Sequence, residues 1–143
     1  MGKLFAIAGR PLSGKTEFMK NMETNFDENV LFISALNFNN FEELVQQLSL
    51  YIRDKDCERI IAIDNFEEFI LKQYKKANYL KYKDHLNILA LLIKNKDIDI
   101  YVSVGLKRQA DRGKTIYCSY SNLRSRAIYE ETDGILFLRQ RGM

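Results

Sequence analysis

Five short stretches of the chain are apolar at nearly every position: Leu4-Phe-Ala-Ile-Ala8, Val30-Leu-Phe-Ile-Ser34, Arg59-Ile-Ile-Ala-Ile-Asp64, Ile98-Asp-Ile-Tyr-Val-Ser-Val104 and Gly134-Ile-Leu-Phe-Leu138. Runs this short, rich in β-branched and aromatic residues, predict strands buried on both faces. Between them the apolar spacing changes to that of helices: Lys15 to about Asn25, Asn40 to about Lys55, one or two helices within 66–96, and Asn122 to Glu131. In Phe41-Glu-Glu-Leu-Val-Gln-Gln-Leu-Ser-Leu-Tyr-Ile52, positions 41, 44, 45, 48 and 52 form one apolar stripe, the pattern of a helix packed on a core. Leu86-Asn-Ile-Leu-Ala-Leu-Leu-Ile93 is apolar almost all round and predicts a helix buried against the sheet. Such alternation of strands and helices predicts a mainly parallel five-stranded sheet with helices on both faces, in one domain over residues 1–143.

Composition adds little but excludes several classes. Apolar residues at 46% and charged residues at 29%, with a single proline, describe a globular chain and not a disordered one. The net charge of +3 permits a nucleic-acid partner without requiring one. Cys57 and Cys118 lie far apart and outside any Cys-x-x-Cys pattern, as expected of reduced thiols in a cytoplasmic protein. No run approaches the ~18 apolar residues of a membrane span, and no secretory apolar region precedes the first strand, so neither membrane nor export is expected.

The residues that carry chemistry follow the first strand. Gly9-Arg10-Pro11-Leu12-Ser13-Gly14-Lys15-Thr16 has the Gly-x-x-x-x-Gly-Lys-Thr spacing of a phosphate-binding loop, with a strand before it and a predicted helix, beginning Lys15-Thr16-Glu17, after it. Glycines let the backbone wrap closely around phosphates and aim its N–H groups at them. A compact ammonium at Lys15 suits β- and γ-phosphate oxygens, and a hydroxyl at Thr16 suits Mg²⁺. The residues 9–17 are therefore the candidate nucleotide site, for ATP or another nucleoside triphosphate.

Asp64 closes the third apolar run and is the candidate second ligand of Mg²⁺; capping of the next helix is the competing role. Glu67 and Glu68, one turn on, are candidates for a base that activates water, and glutamates in a first turn are equally favoured by the helix dipole. His85 is the only histidine, which excludes multi-histidine metal sites and histidine triads; it is expected to be exposed. Lys72-Gln-Tyr-Lys-Lys-Ala-Asn-Tyr-Leu-Lys-Tyr-Lys83 carries no acid and reads as a solvated helix face or helix–helix connection, or as a nucleic-acid contact.

With these motifs placed, the whole chain resembles the RecA-like ATPase core of DnaB-type bacterial replicative helicases. Ala8-Gly-Arg-Pro-Leu-Ser-Gly-Lys-Thr-Glu-Phe18 is similar to that family's Ala-Arg-Pro-x-x-Gly-Lys-Thr-x-Phe loop, and Ile61-Ala-Ile-Asp64-Asn-Phe to its Walker B strand. Ile100-Tyr-Val-Ser-Val-Gly-Leu-Lys-Arg108, Leu123-Arg124 and Ala127-Ile-Tyr-Glu-Glu-Thr-Asp133-Gly-Ile-Leu-Phe137 resemble later family segments. The resemblance implies a RecA-like P-loop NTPase fold, ATP hydrolysis with Mg²⁺, and action on DNA in replication or recombination.

Departures from the family pattern matter as much. Where the family carries its catalytic glutamate, after the second strand, this chain reads Ile33-Ser-Ala-Leu36-Asn37, and its phosphate-sensing glutamine is replaced by Gly105. Neither Leu36 nor Asn37 can accept a proton as a carboxylate does. The family's arginine finger reaches a neighbouring subunit; Arg139 and Arg141 are the shortened equivalent here, or a solvated basic tail. The resemblance thus implies a homo-oligomer or association with a larger ATPase.

Lys107, Arg108, Arg112, Lys114, Arg124 and Arg126, with Tyr117 and Tyr120 among them, face only Asp111 as a countercharge within 107–126. Basic groups neutralise phosphates and tyrosines stack on bases, so this segment is the candidate contact for single-stranded DNA; an ordinary surface loop is the alternative. Its location facing a central channel is supplied by the resemblance. Two rivals stand beside the helicase-like motor: a nucleotide-binding protein that regulates a partner ATPase without efficient hydrolysis, and a small-molecule kinase with residues 107–126 as its lid.

Overall fold

The computed structural model describes residues 2–9, 14–26, 28–54, 58–74, 79–106, 123 and 125–138. The apolar runs form strands β1 (Leu4–Ala8), β2 (Val30–Ser34), β3 (Ile60–Asp64), β4 (Asp99–Val104) and β5 (Gly134–Phe137), each within one residue of its expected end. The helices are α1 (Lys15–Lys20), α2 (Met22–Phe26), α3 (Phe41–Arg53), α4 (Phe66–Tyr74), α5 (Tyr79–Ile93) and α6 (Ala127–Glu131), with a 3-10 turn at Ala35–Asn37. The single helix expected over 15–25 is two short ones interrupted at Asn21, whose N–H bonds back to Glu17 O and Phe18 O.

The strands make one sheet in the order β2-β3-β4-β1-β5, and every pairing between them is parallel. Ser34 pairs with Asp64, Ala8 with Val104 and Ala8 with Phe137, so the carboxyl ends of the strands are level along one edge of the sheet. β3 is buried at every position because helices cover both faces. Ile7, Ala62, Val30 and Ile60 pack with Met19 and Met22 on one face; Ile61, Ile63, Ile100 and Val102 pack with α3, α4, α5 and α6 on the other.

Local chemistry sets several of these boundaries. Asn40 Oδ1 accepts the N–H of Glu43 at 2.9 Å and starts α3, while Glu43 Oε2 reaches back to the N–H of Asn39. The stripe Phe41, Leu44, Leu48 and Ile52 is buried, with Val45 partly so. Burying side chains of this size contributes about 1.5–3 kcal/mol each.

Two expectations are corrected. α5 is not apolar-buried all round: Leu86, Leu89 and Ile93 face the sheet, while Leu91 is 59% exposed, because only one face of an outer helix meets the sheet. His85 is not exposed. It shares that inner face with Tyr82 and Leu86, stacks on the Phe41 ring with centroids 3.8 Å apart, and has Nε2 2.9 Å from the Tyr74 hydroxyl. Burial holds its pKa down at about 4, with Lys81 adding to the effect and Asp84 opposing it. Within 72–83 Tyr82 is fully buried, while the partly buried Tyr79 donates to Glu130 Oε1 at the surface. Residues 75–78 of that segment lie outside the described residues. Among the described residues no helix is long and apolar enough to cross a membrane.

Candidate nucleotide site

The level carboxyl edge gathers residues from four strand ends. Gly9 follows β1 and donates its N–H to Val104 O, 3.1 Å away at the end of β4. Gly14 precedes α1 in the left-handed region, φ 87 and ψ 21, with open space where a Cβ would stand. Backbone conformation, not crowding, therefore calls for glycine there. Its carbonyl accepts the N–H of Phe18 at 2.8 Å, so α1 starts directly from it. Glu17 lies exposed on that first turn.

Thr16 Oγ1 donates to Asp64 Oδ2 at 2.8 Å, and Asp64 is 3% exposed at the end of β3. Lys15 Nζ donates to Val104 O at 3.2 Å. The fold thus brings together an ammonium, a hydroxyl and a carboxylate whose positions lie far apart in sequence. Asn65, immediately after Asp64, is the only non-glycine residue with positive φ among the described residues, at 58. Its Nδ2 donates to Ser34 Oγ at 2.9 Å across the β2–β3 boundary, and Ser34 Oγ also accepts the N–H of Leu36.

The two glutamates of α4 diverge. Glu68 is exposed. Glu67 is 2% exposed, and both carboxylate oxygens are engaged: Oε1 accepts the Tyr82 hydroxyl at 2.5 Å and Oε2 the N–H of Gly105 at 2.8 Å. Leu36, in the turn after β2, is 42% exposed, with Asn37 exposed beside it. Tyr82 belongs to no motif, and the one signal for it is its helical spacing with Leu86 and Leu89, which places it on the buried face. The Val104 carbonyl, being backbone, left no trace in residue type.

Arg10, Pro11, Leu12 and Ser13 of the loop lie outside the described residues, as do Lys107, Arg108, Arg112, Lys114, Tyr117, Tyr120, Arg124, Arg139, Arg141 and both cysteines. Of the basic residues of 107–126, Arg126 is described; it pairs with Glu130 at 3.7 Å and covers the Tyr79 ring at 4.8 Å. An apolar groove of about 320 Å³, lined by Phe5, Phe26, Tyr101, Gly134, Ile135 and Leu136, meets none of the phosphate-site residues.

The donor set fits a magnesium nucleotide. Among the described residues no group of three or more His, Cys, Asp or Glu side chains could hold a metal alone. A Mg²⁺ ion beside Thr16 and Asp64 would complete its shell with waters and with oxygens of a phosphate ligand, as this cation commonly does.

No family model matches the sequence, and no curated protein matches it significantly. Solved structures do match. The ATPase domain of a DnaB-family helicase superposes with a TM-score of 0.63 at 17% identity, over 94% of this chain and 68% of that one. The RadB recombinase gives 0.62 at 11% identity, over 94% and 73%. C. elegans PCH-2 gives 0.52 at 12% identity, and there the chain spans only 34% of its length. The chain has the RecA-like P-loop ATPase fold, with its five-stranded parallel sheet.

Proposed function

We propose that this chain is an ATP-binding and ATP-hydrolysing RecA-like core that acts on DNA in replication or recombination. The observation that carries the reading is the Thr16–Asp64 hydrogen bond beside Lys15, a hydroxyl–carboxylate pair and an ammonium at one strand edge. Lys15 binds phosphate oxygens, and Thr16 and Asp64 hold Mg²⁺. The bound cation offsets negative charge on the phosphates. Gly9 to Glu17 make the nucleotide cradle. The basic residues Lys107, Arg108, Arg112, Lys114 and Arg124, with Tyr117 and Tyr120, contact single-stranded DNA through phosphates and base faces. Arg139 and Arg141 act on the nucleotide of a neighbouring subunit, so the active form is an assembly with copies of itself or with a larger ATPase.

Support for the DNA part comes from the helicase-like motifs and from a likeness to a protein described as a recombinase. A second reading is favoured by a specific observation. After β2 the exposed side chains are Leu36 and Asn37, neither a carboxylate, and the buried carboxylate of α4, Glu67, has both oxygens engaged by Tyr82 and Gly105. In that reading the chain binds nucleotide without efficient hydrolysis and regulates a partner ATPase.

ATP turnover with and without single-stranded DNA, in wild type and Lys15→Ala, separates the two. DNA-stimulated turnover that disappears in Lys15→Ala supports the motor. Micromolar nucleotide binding with no turnover in either condition supports the regulator, and absence of nucleotide binding sinks both.

A further inference from the structure

One peptide unit is held from both sides. The carbonyl of Val104 accepts Lys15 Nζ at 3.2 Å and the Gly9 N–H at 3.1 Å. The N–H of the same unit, that of Gly105, donates to Glu67 Oε2 at 2.8 Å, and the fully buried Tyr82 donates to Glu67 Oε1. A peptide group is planar and stiff, so its carbonyl and N–H tilt together. Of the groups on this unit, Lys15 alone has a flexible stem and a competing ligand. Its bond to a neutral carbonyl lacks the charge–charge attraction that a phosphate oxygen adds.

We propose that the Val104–Gly105 peptide is a nucleotide-responsive element, and that Glu67 is the positioning residue that fixes it when Lys15 leaves Val104 for a phosphate. The inference rests on the nucleotide reading above. Glu67 acts here through the Gly105 N–H and not on water. A carboxamide distinguishes these tasks. Gln at position 67 keeps a carbonyl oxygen for Gly105 and turns its NH₂ toward the Tyr82 hydroxyl oxygen, which can accept; it cannot take a proton from water.

The test is amide exchange at Gly105 and the carbonyl chemical shift of Val104, read by NMR on the isotopically labelled full chain. Spectra are taken without nucleotide, with Mg²⁺–ADP and with Mg²⁺ and a non-hydrolysable ATP analogue. Gly105 exchange should stay slow in wild type and Glu67→Gln and rise at least about tenfold in Glu67→Ala, as loss of one hydrogen bond implies. Tyr82→Phe, which leaves the Gly105 bond but removes the hydroxyl donor from the other carboxylate oxygen, should give a smaller rise and serves if Glu67→Ala does not fold. The Val104 signal should move on nucleotide addition, and in the same direction in nucleotide-free Lys15→Ala.

Equal Gly105 exchange in all these proteins would overturn the tie. A Val104 signal unmoved while Gly14, Lys15 and Thr16 respond to nucleotide would overturn the responsiveness. If those three signals are also unmoved, the nucleotide reading itself fails and the responsiveness falls with it, whereas Gly105 exchange without nucleotide still decides the role of Glu67. Where turnover is measurable, Glu67→Gln should retain it within about threefold; a loss of roughly a hundredfold or more, the scale of a general base, would overturn the assignment.

Discussion

Thr16 Oγ1 lies 2.8 Å from Asp64 Oδ2 although 48 positions separate them and β1, which leads into Thr16's helix, is not a neighbour of β3, since β4 runs between the two. The contact exists because parallel pairing levels the strand ends, and α1 turns back over that edge directly after Gly14. Hydroxyl and carboxylate are then held in contact by the fold itself. Such preorganisation reduces the ordering cost of binding.

Asp64→Asn keeps an acceptor for Thr16 but removes the charge that a divalent cation needs. The gain in nucleotide affinity on adding Mg²⁺ should shrink by roughly tenfold, while affinity without Mg²⁺ stays close to wild type. Titration of a fluorescent nucleotide with and without Mg²⁺ checks it, and an undiminished Mg²⁺ effect would count against Asp64 as a ligand.

Lys15→Ala should weaken nucleotide binding by roughly ten- to a hundredfold, the worth of a hydrogen bond to a charged group. The fold should survive, because the Val104 carbonyl keeps the Gly9 N–H. Calorimetric titration alongside thermal melting reads both, and unchanged affinity would remove Lys15 from the site.

His85 titrates at about 4 in the folded protein, against 6.5 when solvated, mainly because burial disfavours its charge. Between those values the unfolded chain binds more protons than the folded one. Its contribution is therefore fully present above pH 6.5, is lost as the pH falls toward 4, and changes no further below that. His85→Gln, which retains a partner for the Tyr74 hydroxyl without a titrating ring, should show a shallower decline of melting temperature across that window. Parallel declines in the two proteins would refute the contribution.

Asn65 occupies the left-handed region, which asparagine tolerates and a β-branched residue does not. Asn65→Val should cost about 2–3 kcal/mol, combining backbone strain with the lost Ser34 hydrogen bond. Asn65→Gly, which relieves the backbone and loses only that bond, should stay within about 1 kcal/mol. Chemical denaturation compares the two; a valine variant as stable as the glycine one would contradict the strain.

Local pattern was enough for the strands and for the first members of the site, though not for the break at Asn21 or for the start of α6, expected at Asn122 and found at Ala127. Apolar runs and helical stripes are properties of neighbouring residues, so the ends of β1 and β2 and the buried stripe of α3 followed from spacing alone. The phosphate loop was equally visible, because glycine, lysine and threonine are required at set positions by the backbone and the ligand together. The same periodicity through Tyr82, Leu86 and Leu89 places His85 on the buried face despite its polarity.

Other features had no local cause. Strand order depends on which strands meet after the helices cross, and it is the insertion of β4 between β1 and β3 that puts Lys15 against Val104. Glu67 and Glu68 are adjacent and chemically identical, yet one is exposed and the other is drawn in by Tyr82 and Gly105. That difference follows from their different directions around α4 and from what the distant chain supplies on each side. Residue type announced an acid near the phosphates; tertiary packing decided that its oxygens are engaged with protein groups, because a buried carboxylate must find donors and the fold brings them from 15 and 38 positions away.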